Sequence, residues 1–529
     1  MSWSAAFINA ISARNVEMVF GVRRLALVTT TATSSFDGQW VAATRRAQGL
    51  GLVWPAELGR RITDGQGGAI GLRRWTVGAG RWTFQVIGED AIRRHLAAVK
   101  LGSYVELLGG PRGSTPTDWE QLIWGQVLGR ERTDRAELTV TVGDPLAAMR
   151  SRPDITSEEG RLLSWLAQDD ETVAADCLVA ATEVELVSTD HFEIDTGTSL
   201  GMVLIDPNDG NDPFYLSFSG KATSPKRLTG LSTAAQFGTT RVDATFANLA
   251  TVKRLFYIRD HPLNALLKML LSGSGASGAG AAYDTLADTW GFGFFERLVD
   301  VSGIESVRDN HVQLTSGTYR WNMLLDAPLS NGYSYLAGLF AGAGLIITPS
   351  QGQLTARAIR DPYGSGIATL ADEVTDERIE PNSVRVVFEH PEAPGSQSVT
   401  IVEDHLDKSK TQPDFESTSL PRLPGATLDV TGGPRVSATI TAHLQEILDR
   451  VGPWYEQGPI LVSASWAGLA QAGRTRGDII LLTAKRIAAL HDRDGVAFNR
   501  YPALILDRQI DWRGNRVRMD LALLPPSPT

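Results

Sequence analysis

The sequence predicts a mainly β, multidomain protein with minor α+β content, in which two small antiparallel β-barrels, N- and C-terminal, flank α+β middle domains. Three observations predict this class: segments of alternating apolar and polar residues dominate, helical patterns are few, and one succession of segments occurs near both ends. The 529 residues correspond to about three or four domains. With 43% hydrophobic and 21% charged residues, the composition excludes wholesale disorder.

Strands are predicted where apolar residues recur at every second position, because one face of such a strand is buried. The segments 81–89, 136–144 and 516–524 show this alternation. Their predicted inward positions are Trp82, Phe84, Val86, Leu138, Val140, Val142, Val517, Met519, Leu521 and Leu523. A hairpin is predicted in 345–359, closing around Pro349 to Gly352.

Three helices are predicted from their end signals. One starts at Asp90 as N-cap, one has Pro262 near its first position and stops at Gly273, and one in 441–452 ends at Gly452. The most apolar run, Tyr335 to Ile347, is too short to span a bilayer. It predicts a packed helix that leads into a buried strand.

Four domains are predicted: 1–150 as the first barrel, 151–258 as a β-rich middle domain, 259–430 as an α+β middle domain with a Gly/Ser loop, and 431–529 as the second barrel. The seams follow composition. They are the polar stretch Met149 to Gly160, the flexible glycine-serine run Ser272 to Asp284, and a proline-rich linker or long loop from Asp404 to Pro434.

Charge is uneven along the chain. The net formal charge of −10 does not favour a general nucleic-acid binder. Residues 1–150 carry a net +5 and the remainder a net −15, and five Arg-Arg pairs lie in the basic part. These pairs are read as solvated faces, with a basic rim for an acidic partner as the alternative. The N-terminus shows no basic region followed by an apolar core, so no secretory signal is expected.

A weak internal repeat is the most informative feature. In each copy, a glycine and a polar residue (Gly102-Ser103, Gly477-Asp478) enter an apolar strand. A second strand ending in Arg130 or Arg508 follows, then a polar turn and a strictly alternating strand. The glycine-to-arginine separations are 28 and 31 residues. This pattern predicts a duplicated antiparallel barrel; the alternative is two unrelated β-meanders.

Two equivalent barrels in one chain have a consequence for assembly. Three such chains would place six barrels around an axis, so a ring could match a sixfold partner on one side and a threefold partner on the other. That role is structural and needs no catalytic residue.

The sequence resembles the baseplate or tail-tip hub proteins of tailed bacteriophages, of the siphophage type and similar to the central hub of contractile tails. The stretch from Gly80 to Asp144 looks like the first tube domain of a hub, and the stretch from Arg476 onward like the second. In the middle, a His-Pro helix leads to a "YD-L---WG" element formed by Tyr283, Asp284, Leu286, Trp290 and Gly291. Segments 341–359 and 382–404 look like middle strands of the hub.

The resemblance implies a homotrimer at the virion tail tip or baseplate, made in the host cytoplasm. Its implied partners are a tail tube or distal tail protein ring above, tail-tip, spike or fibre proteins below, and the tape-measure protein and DNA passing through the channel. No stable membrane insertion is implied. We predict no enzymatic activity and assign no catalytic, cofactor-binding or metal-ligating residue and no cofactor.

Several motifs point to other chemistry without its full context. The run Gly273 to Gly278 matches GxGxxG, but a helix precedes it where a dinucleotide site needs a strand. Asp206 to Pro213 is acidic, yet Gly210 stands where a calcium loop has a ligand, so a turn is predicted. Cys177, the single cysteine, is predicted to lie in the core.

Two alternative functions remain open. Trp454, Trp466, Trp119 and Trp124 flank apolar runs and are predicted to be core or interface residues; as exposed sugar-stacking platforms they would favour a carbohydrate-binding adhesin. Carboxylate pairs such as Asp169-Asp170 and Glu158-Glu159 are read as solvated, and across a cleft they would favour a polysaccharide hydrolase.

Overall fold

The chain is described from a computed structural model. The residues described are 3–13, 16–25, 58–63, 70–71, 76–114, 118–133, 136–149, 151–152, 161–162, 171–177, 181–190, 192–197, 199–206, 214–233, 250–276, 278–286, 290–311, 321–325, 332–342, 344–363, 383–388, 398–402, 427–431, 450, 454, 459–482 and 500–524.

The elements in this part of the chain are mainly strands. The strands are β1 (Met18–Leu25), β2 (Leu58–Thr63), β3 (Ile70–Gly71), β4 (Thr76–Val77), β5 (Arg81–Ile87), β6 (Tyr104–Pro111), β7 (Glu120–Thr133), β8 (Glu137–Gly143), β9 (Ser151–Arg152), β10 (Arg161–Leu162), β11 (Glu171–Thr172), β12 (Glu183–Glu185), β13 (Gly201–Asp206), β14 (Phe214–Phe218), β15 (Gly220–Thr223), β16 (Lys226–Thr229), β17 (Ser232–Thr233), β18 (Thr251–Asp260), β19 (Trp321–Leu325), β20 (Leu345–Ser350), β21 (Gln353–Ala358), β22 (Ser383–Phe388), β23 (Ser398–Val402), β24 (Thr427–Thr431), β25 (Ile460–Ala467), β26 (Ile479–Leu482), β27 (Tyr501–Asp511) and β28 (Arg516–Leu523). The helices are α1 (Ala5–Ser12), α2 (Glu89–Ala98), α3 (Pro145–Ala148), α4 (Pro262–Leu271), α5 (Val301–His311) and α6 (Gly332–Gly342), with 3-10 turns at Ala279–Tyr283 and Glu296–Leu298.

The predicted fold class is confirmed, since the structure is mainly β with several antiparallel sheets and few helices. The first module is a six-stranded sheet in the order β1-β6-β7-β8-β5-β2, together with α2. The second module is a five-stranded sheet in the order β22-β25-β28-β27-β26. All strand pairs within both modules are antiparallel.

The strands predicted from alternation are confirmed as β5, β8 and β28. Each of their predicted inward residues is buried. They contribute to one hydrophobic cluster that contains the inward side chains of both modules. This burial stabilises each strand, because a fully buried large apolar side chain contributes about 1.5–3 kcal/mol.

Between the modules, a second sheet is built around β18, which pairs with β11, β13 and β19. Helix α4 follows β18 directly and is buried nearly all round, since its residues are apolar except Asn264 and Lys268. Its Lys268 is buried between the carboxylates of Asp195 and Asp260, at 2.7 and 2.8 Å. The ion pairs therefore fasten the β-rich middle segment to the helix that follows it.

The end signals of α4 and the apolar run are confirmed. Pro262 is the first residue of α4, and the chain turns at Gly273 with a φ of 80°. The apolar run forms α6 and then the buried strand β20. Of the helices in the described residues, none has the length and hydropathy that a membrane span requires.

Two sequence-based boundaries differ from the structure. Helix α2 begins at Glu89 with Gly88 as N-cap, two residues before the predicted N-cap Asp90, and Glu89 and Asp90 both lie in its first turn. Acidic side chains favour that turn because they oppose the positive end of the helix dipole. The hairpin turn is also tighter than predicted: Pro349 is paired in β20, and only Gln351 and Gly352, both with positive φ, form the turn.

Two predicted seams contain regular structure. The glycine-serine run is tied to carboxylates, because the N–H groups of Gly273 and Gly275 donate to Asp284 at 2.8 and 3.0 Å. Those of Gly278 and Gly280 donate to Glu296 at 3.0 and 3.1 Å. The predicted linker 404–434 contains β24, which pairs in parallel with β23.

The four-domain division stays a prediction. One strand of the C-terminal sheet, β22, belongs to 259–430 by sequence, and β18 crosses the boundary at 258. The helix predicted in 441–452 lies outside the described residues, apart from a helical Arg450.

Candidate functional site

The two modules have the same strand order. Read from its other edge, the second sheet runs β26-β27-β28-β25-β22, and the first runs β6-β7-β8-β5-β2 after its additional edge strand β1. In both, the strands follow one another along the chain in the same sequence. The shared topology supports the duplication that the sequence repeat predicted.

The turn that enters the third strand is the same in both modules. Gly102 and Gly477 each have a φ of 86°, a conformation that favours glycine. The N–H of Gly102 donates to the carbonyl of Val127, and that of Gly477 to Ile505, both at 2.9 Å. Each glycine therefore sits opposite the same position of the next strand.

The polar residue after each glycine closes this turn. Ser103 Oγ accepts a hydrogen bond from the N–H of Lys100 at 3.0 Å. Asp478 Oδ2 accepts one from the N–H of Thr475 at 2.8 Å. The side chains differ, but an oxygen at this position accepts from the residue three places earlier in both turns.

The two repeat arginines perform the same task. Arg130 Nη1 donates to the carbonyl of Val99 at 2.7 Å. Arg508 Nη1 donates to the carbonyls of Ala472, at 2.9 Å, and Arg474. Counted back from the turn glycine, Arg474 is the counterpart of Val99, so each guanidinium holds the chain just before the turn.

A β-bulge lies at the same place in both modules. The register of β7 against β8 shifts between Val127 and Gly129. The register of β27 against β28 shifts between Ile505 and Asp507. A bulge bends and twists its strand, so both sheets curve at equivalent points.

The junction between the modules is filled by the β20–β21 hairpin. At its tip, Gln351 Nε2 donates to the carbonyl of Gly473 in the second module at 3.3 Å, and the carbonyl of Gly352 accepts from Gln121 of the first. Further along, Arg357 pairs with Asp478 at 3.2 Å. The hairpin thus contacts both modules and fixes their relative placement.

Aromatic side chains near the N-terminus also join the modules. Trp3 packs edge-on against Trp512 at the end of β27, with ring centroids 5.8 Å apart. Phe20 of β1 packs against the same indole at 6.5 Å. Such pairs stabilise by about 0.5–1.5 kcal/mol beyond area burial.

Buried charges connect the first module to the middle of the chain. Glu106 is fully buried in β6 and pairs with Arg23 of β1 and with Arg297, the latter at 2.9 Å. Near the junction, burial raises the pKa of Asp144, which caps α3 by accepting from Ala147 N at 3.0 Å. These contacts are structural, with each charge held by partners rather than facing an open cleft.

The residues of the "YD-L---WG" element have structural roles, in packing and in hydrogen bonding. Asp284 holds the glycine-serine loop, Leu286 and Trp290 are buried, and Tyr283 donates to Glu305 at 2.7 Å. Burial, then the Glu305 hydrogen bond, raises the pKa of Tyr283 to about 12. A Cβ on Gly291 would lie 2.0 Å from the carbonyl of Ser272, so this position requires glycine.

The structure places the other singled-out residues as follows. Trp124, Trp454 and Trp466 are buried, as predicted, and Trp119 is half-buried. Cys177 lies in a small core beside β12 and β13, and burial raises its pKa to about 11.

The remaining acidic candidates lie outside the described residues. They are 207–213 of the acidic turn, Glu158-Glu159 and Asp169-Asp170. Among the residues that the structure does describe, no group of three or more His, Cys, Asp or Glu side chains is placed to hold a metal ion.

Sequence reasoning missed the contacts that join the modules. The hairpin's position at the junction had no sequence signal. Sequence reasoning also missed the Glu106–Arg297 pair, which ties the first module to the middle of the chain and joins partners 191 residues apart. A glutamate inside the apolar strand 104–108 was the available hint, since a buried carboxylate requires a cationic partner.

Comparisons with known proteins give distant structural likenesses. No protein-family model matches the chain, and no curated protein matches it in sequence. A chain of the virion of a native gene transfer agent particle is 11% identical, with a TM-score of 0.17, over 47% of this chain and 84% of that one. A 43 kDa tail protein of prophage MuSo2 from Shewanella oneidensis is 9% identical, with a TM-score of 0.33, over 88% and 94%.

A third likeness is to a chain of the lidded Francisella PdpA-VgrG complex. It is 8% identical with a TM-score of 0.31, and the match covers 98% of this chain and 55% of that one. All three TM-scores lie below 0.5, so function is argued from the geometry of this chain.

Proposed function

We propose that this protein is a structural component of a phage-type tail, forming the hub at the tail tip or baseplate. In this role three copies make a ring with pseudo-sixfold symmetry, which joins a hexameric tail tube or distal tail ring to a threefold tip. The observation that carries the proposal is the pair of modules with one strand order, one turn and one arginine contact.

The duplication favours a ring because closed symmetry needs repeated contacts. A chain with two equivalent modules presents two equivalent surfaces. An assembly of three such chains therefore presents six equivalent surfaces around its axis. The rigid junction between the modules supports the same role, since the hairpin, the aromatic contacts and Arg357–Asp478 fix their relative orientation. A flexible tether would give no defined ring.

The proposed partners follow from that placement. A tail tube or distal ring lies above, spike, tip or fibre proteins lie below, and the tape-measure protein and DNA pass through the channel.

The net negative charge of the chain is carried by its middle part. Residues 431–529 have a net charge of +3, and residues 151–430 therefore have a net charge of −18. The two modules are both net basic.

The hub role needs no catalytic residue in the modules. An adhesin based on the singled-out tryptophans is less well supported, because Trp124, Trp454 and Trp466 are buried and present no platform to a sugar. No observation in the described part of the chain favours the hydrolase.

The proposal is tested by locating the chain in intact particles. Particles carrying a short peptide tag on this chain are labelled with gold-conjugated antibody and imaged by electron microscopy. The proposal expects label at one end of the tail, on its axis. Label on side fibres away from the axis, or along the whole tube, contradicts it.

A further inference from the structure

Resting on the proposed ring, we propose a specific contact between neighbouring copies. The exposed apolar patch formed by Leu101 and Leu128 on the first module is the surface that a second copy of this chain covers, through its second module. The two residues lie on neighbouring backbone segments, because the N–H of Gly102, next to Leu101, donates to the carbonyl of Val127, next to Leu128. Leu101 is 49% exposed and Leu128 44% exposed.

The second module has the same surface, and the chain itself covers it. The turn and bulge equivalences align Leu128 with Leu506 and Leu101 with Arg476. Leu506 is only 6% exposed and Arg476 only 5%. Equivalent positions therefore differ strongly in exposure, although the sheets beneath them are alike.

The cover over the second module comes partly from the first module. Arg476 and Arg508 line a small cavity whose other wall includes Asp144 and Pro145 of the first module and the hairpin residues 349–352. Strand β27 also contacts β2 and β3. Within one chain, then, the bulge face of the second module looks towards the first.

The same relation between a bulge face and the module opposite it can be extended from one copy of the chain to the next. If the modules alternate around a ring, the bulge face of each first module looks towards the second module of the next copy. Such a contact is heterologous, since different surfaces meet, and it closes when the repeated rotation completes a circle. The exposed patch lies where this neighbour belongs.

The chemistry of the patch agrees with burial against protein. In the second module the covered position includes an ion pair, Arg476 to Asp507 at 2.7 Å. Its counterparts in the first module, Leu101 and Gly129, carry no charge, so a neighbour can cover them without burying a charge there. Four large hydrophobic side chains are exposed in the described residues. Leu101 and Leu128 are two of them, and Ile87 and Val187 are the others.

The occupant is identified by photo-crosslinking. Full-length chain carrying p-benzoylphenylalanine in place of Leu128 is mixed with isotopically labelled chain and irradiated. Mass spectrometry of the digest then shows which peptides are joined between copies. We expect peptides from 431–529. Crosslinks confined to other segments, or an absence of intermolecular crosslinks at Leu128, overturn the contact. A Val187 derivative, placed on an unrelated surface, is the matched control and is expected to give none from 431–529.

A charge-bearing variant separates this inference from the proposed ring. Leu101→Glu with Leu128→Glu should weaken self-association roughly a hundredfold or more, because two buried leucines are lost. Val187→Glu should not, and circular dichroism checks that each variant is folded. A wild-type chain that stays monomeric overturns the ring and the contact together. A trimeric wild type whose double variant is equally trimeric overturns the contact alone.

Discussion

Arg130 and Arg508 occupy equivalent positions in the two modules, and each donates from Nη1 to the main chain just before a turn glycine. The distances are 2.7 Å to Val99 for Arg130 and 2.9 Å to Ala472 for Arg508. Each arginine lies two residues beyond the bulge residue, Leu128 or Leu506, and is paired in the regular register, Arg130 with Val140 and Arg508 with Met519. The duplicated module therefore preserves a side-chain contact as well as a strand order.

Removing either arginine side chain should destabilise its module. Arg508→Met should lower the free energy of unfolding by about 1.5–3 kcal/mol, because two carbonyls lose a charged donor, and Arg130→Met should lower it by less. Urea denaturation followed by circular dichroism measures both. Arg516→Met, which changes an exposed arginine of β28, is the control. An Arg508 variant as stable as the control contradicts the assigned role.

Glu106 should be among the least replaceable charges in the first module. Glu106→Gln leaves Arg23 buried without a carboxylate, and removing one partner of a buried pair costs about 3–5 kcal/mol. The thermal midpoint should fall accordingly. Glu17→Gln breaks an exposed pair with Arg112 and should leave the midpoint unchanged. Equal midpoints for the two variants would show that Glu106 is not stabilising.

The contribution of Lys268 should depend on pH. Burial, the largest single effect, would raise the pKa of Asp260, but the hydrogen bond and charge of Lys268, together with hydrogen bonds from Asn264 and the His261 N–H, outweigh it and hold that pKa below the ordinary value of 3.8. A lowered carboxyl pKa contributes stability that is present above the ordinary value and lost as pH falls through the lowered one.

Lys268→Met removes the cation that keeps this buried carboxylate charged. The loss of stability should therefore be large at pH 7 and shrink as the pH falls below about 4, where Asp260 can take up a proton in the variant. Urea denaturation midpoints of the variant and the wild type, at pH 7 and below pH 4, measure this loss of stability. Lys253→Met, which changes an exposed lysine, is the control. A loss that is the same at both pH values would falsify this linkage.

Cys177 should react slowly with thiol reagents in the folded protein. Its pKa of about 11 leaves little thiolate at pH 8, and the side chain is buried. Alkylation should be roughly a hundredfold slower than in urea-unfolded chain, because only the thiolate attacks. A Val187→Cys variant supplies an exposed thiol for comparison. Equal reaction of folded and unfolded wild type would place Cys177 outside the core.

Local patterns predicted the parts of the fold whose cause is local. Alternation at Trp82, Phe84 and Val86 predicted a strand because burial of one face follows period two. Pro262 and Gly273 predicted the ends of α4 because both act through backbone conformation. The repeat spacing predicted the equivalent positions of Arg130 and Arg508, although it did not predict what they contact.

Distant contacts were not predictable in this way. The glycine-serine run looks flexible by composition, yet Asp284 and Glu296 bind its N–H groups. Strand β22 joins a sheet whose next strand lies beyond residue 459. The exposure difference between Leu128 and Leu506 arises from their neighbours, which one-dimensional periodicity does not record.

The central claim is that one chain supplies two equivalent modules, so that three copies imitate six. Cryo-electron microscopy of the tail tip, reconstructed without imposed symmetry, tests it most directly by counting copies and placing both modules. The account predicts three copies, with first and second modules alternating at one radius around the axis. Six copies, a single copy, or first and second modules at different radii would contradict it.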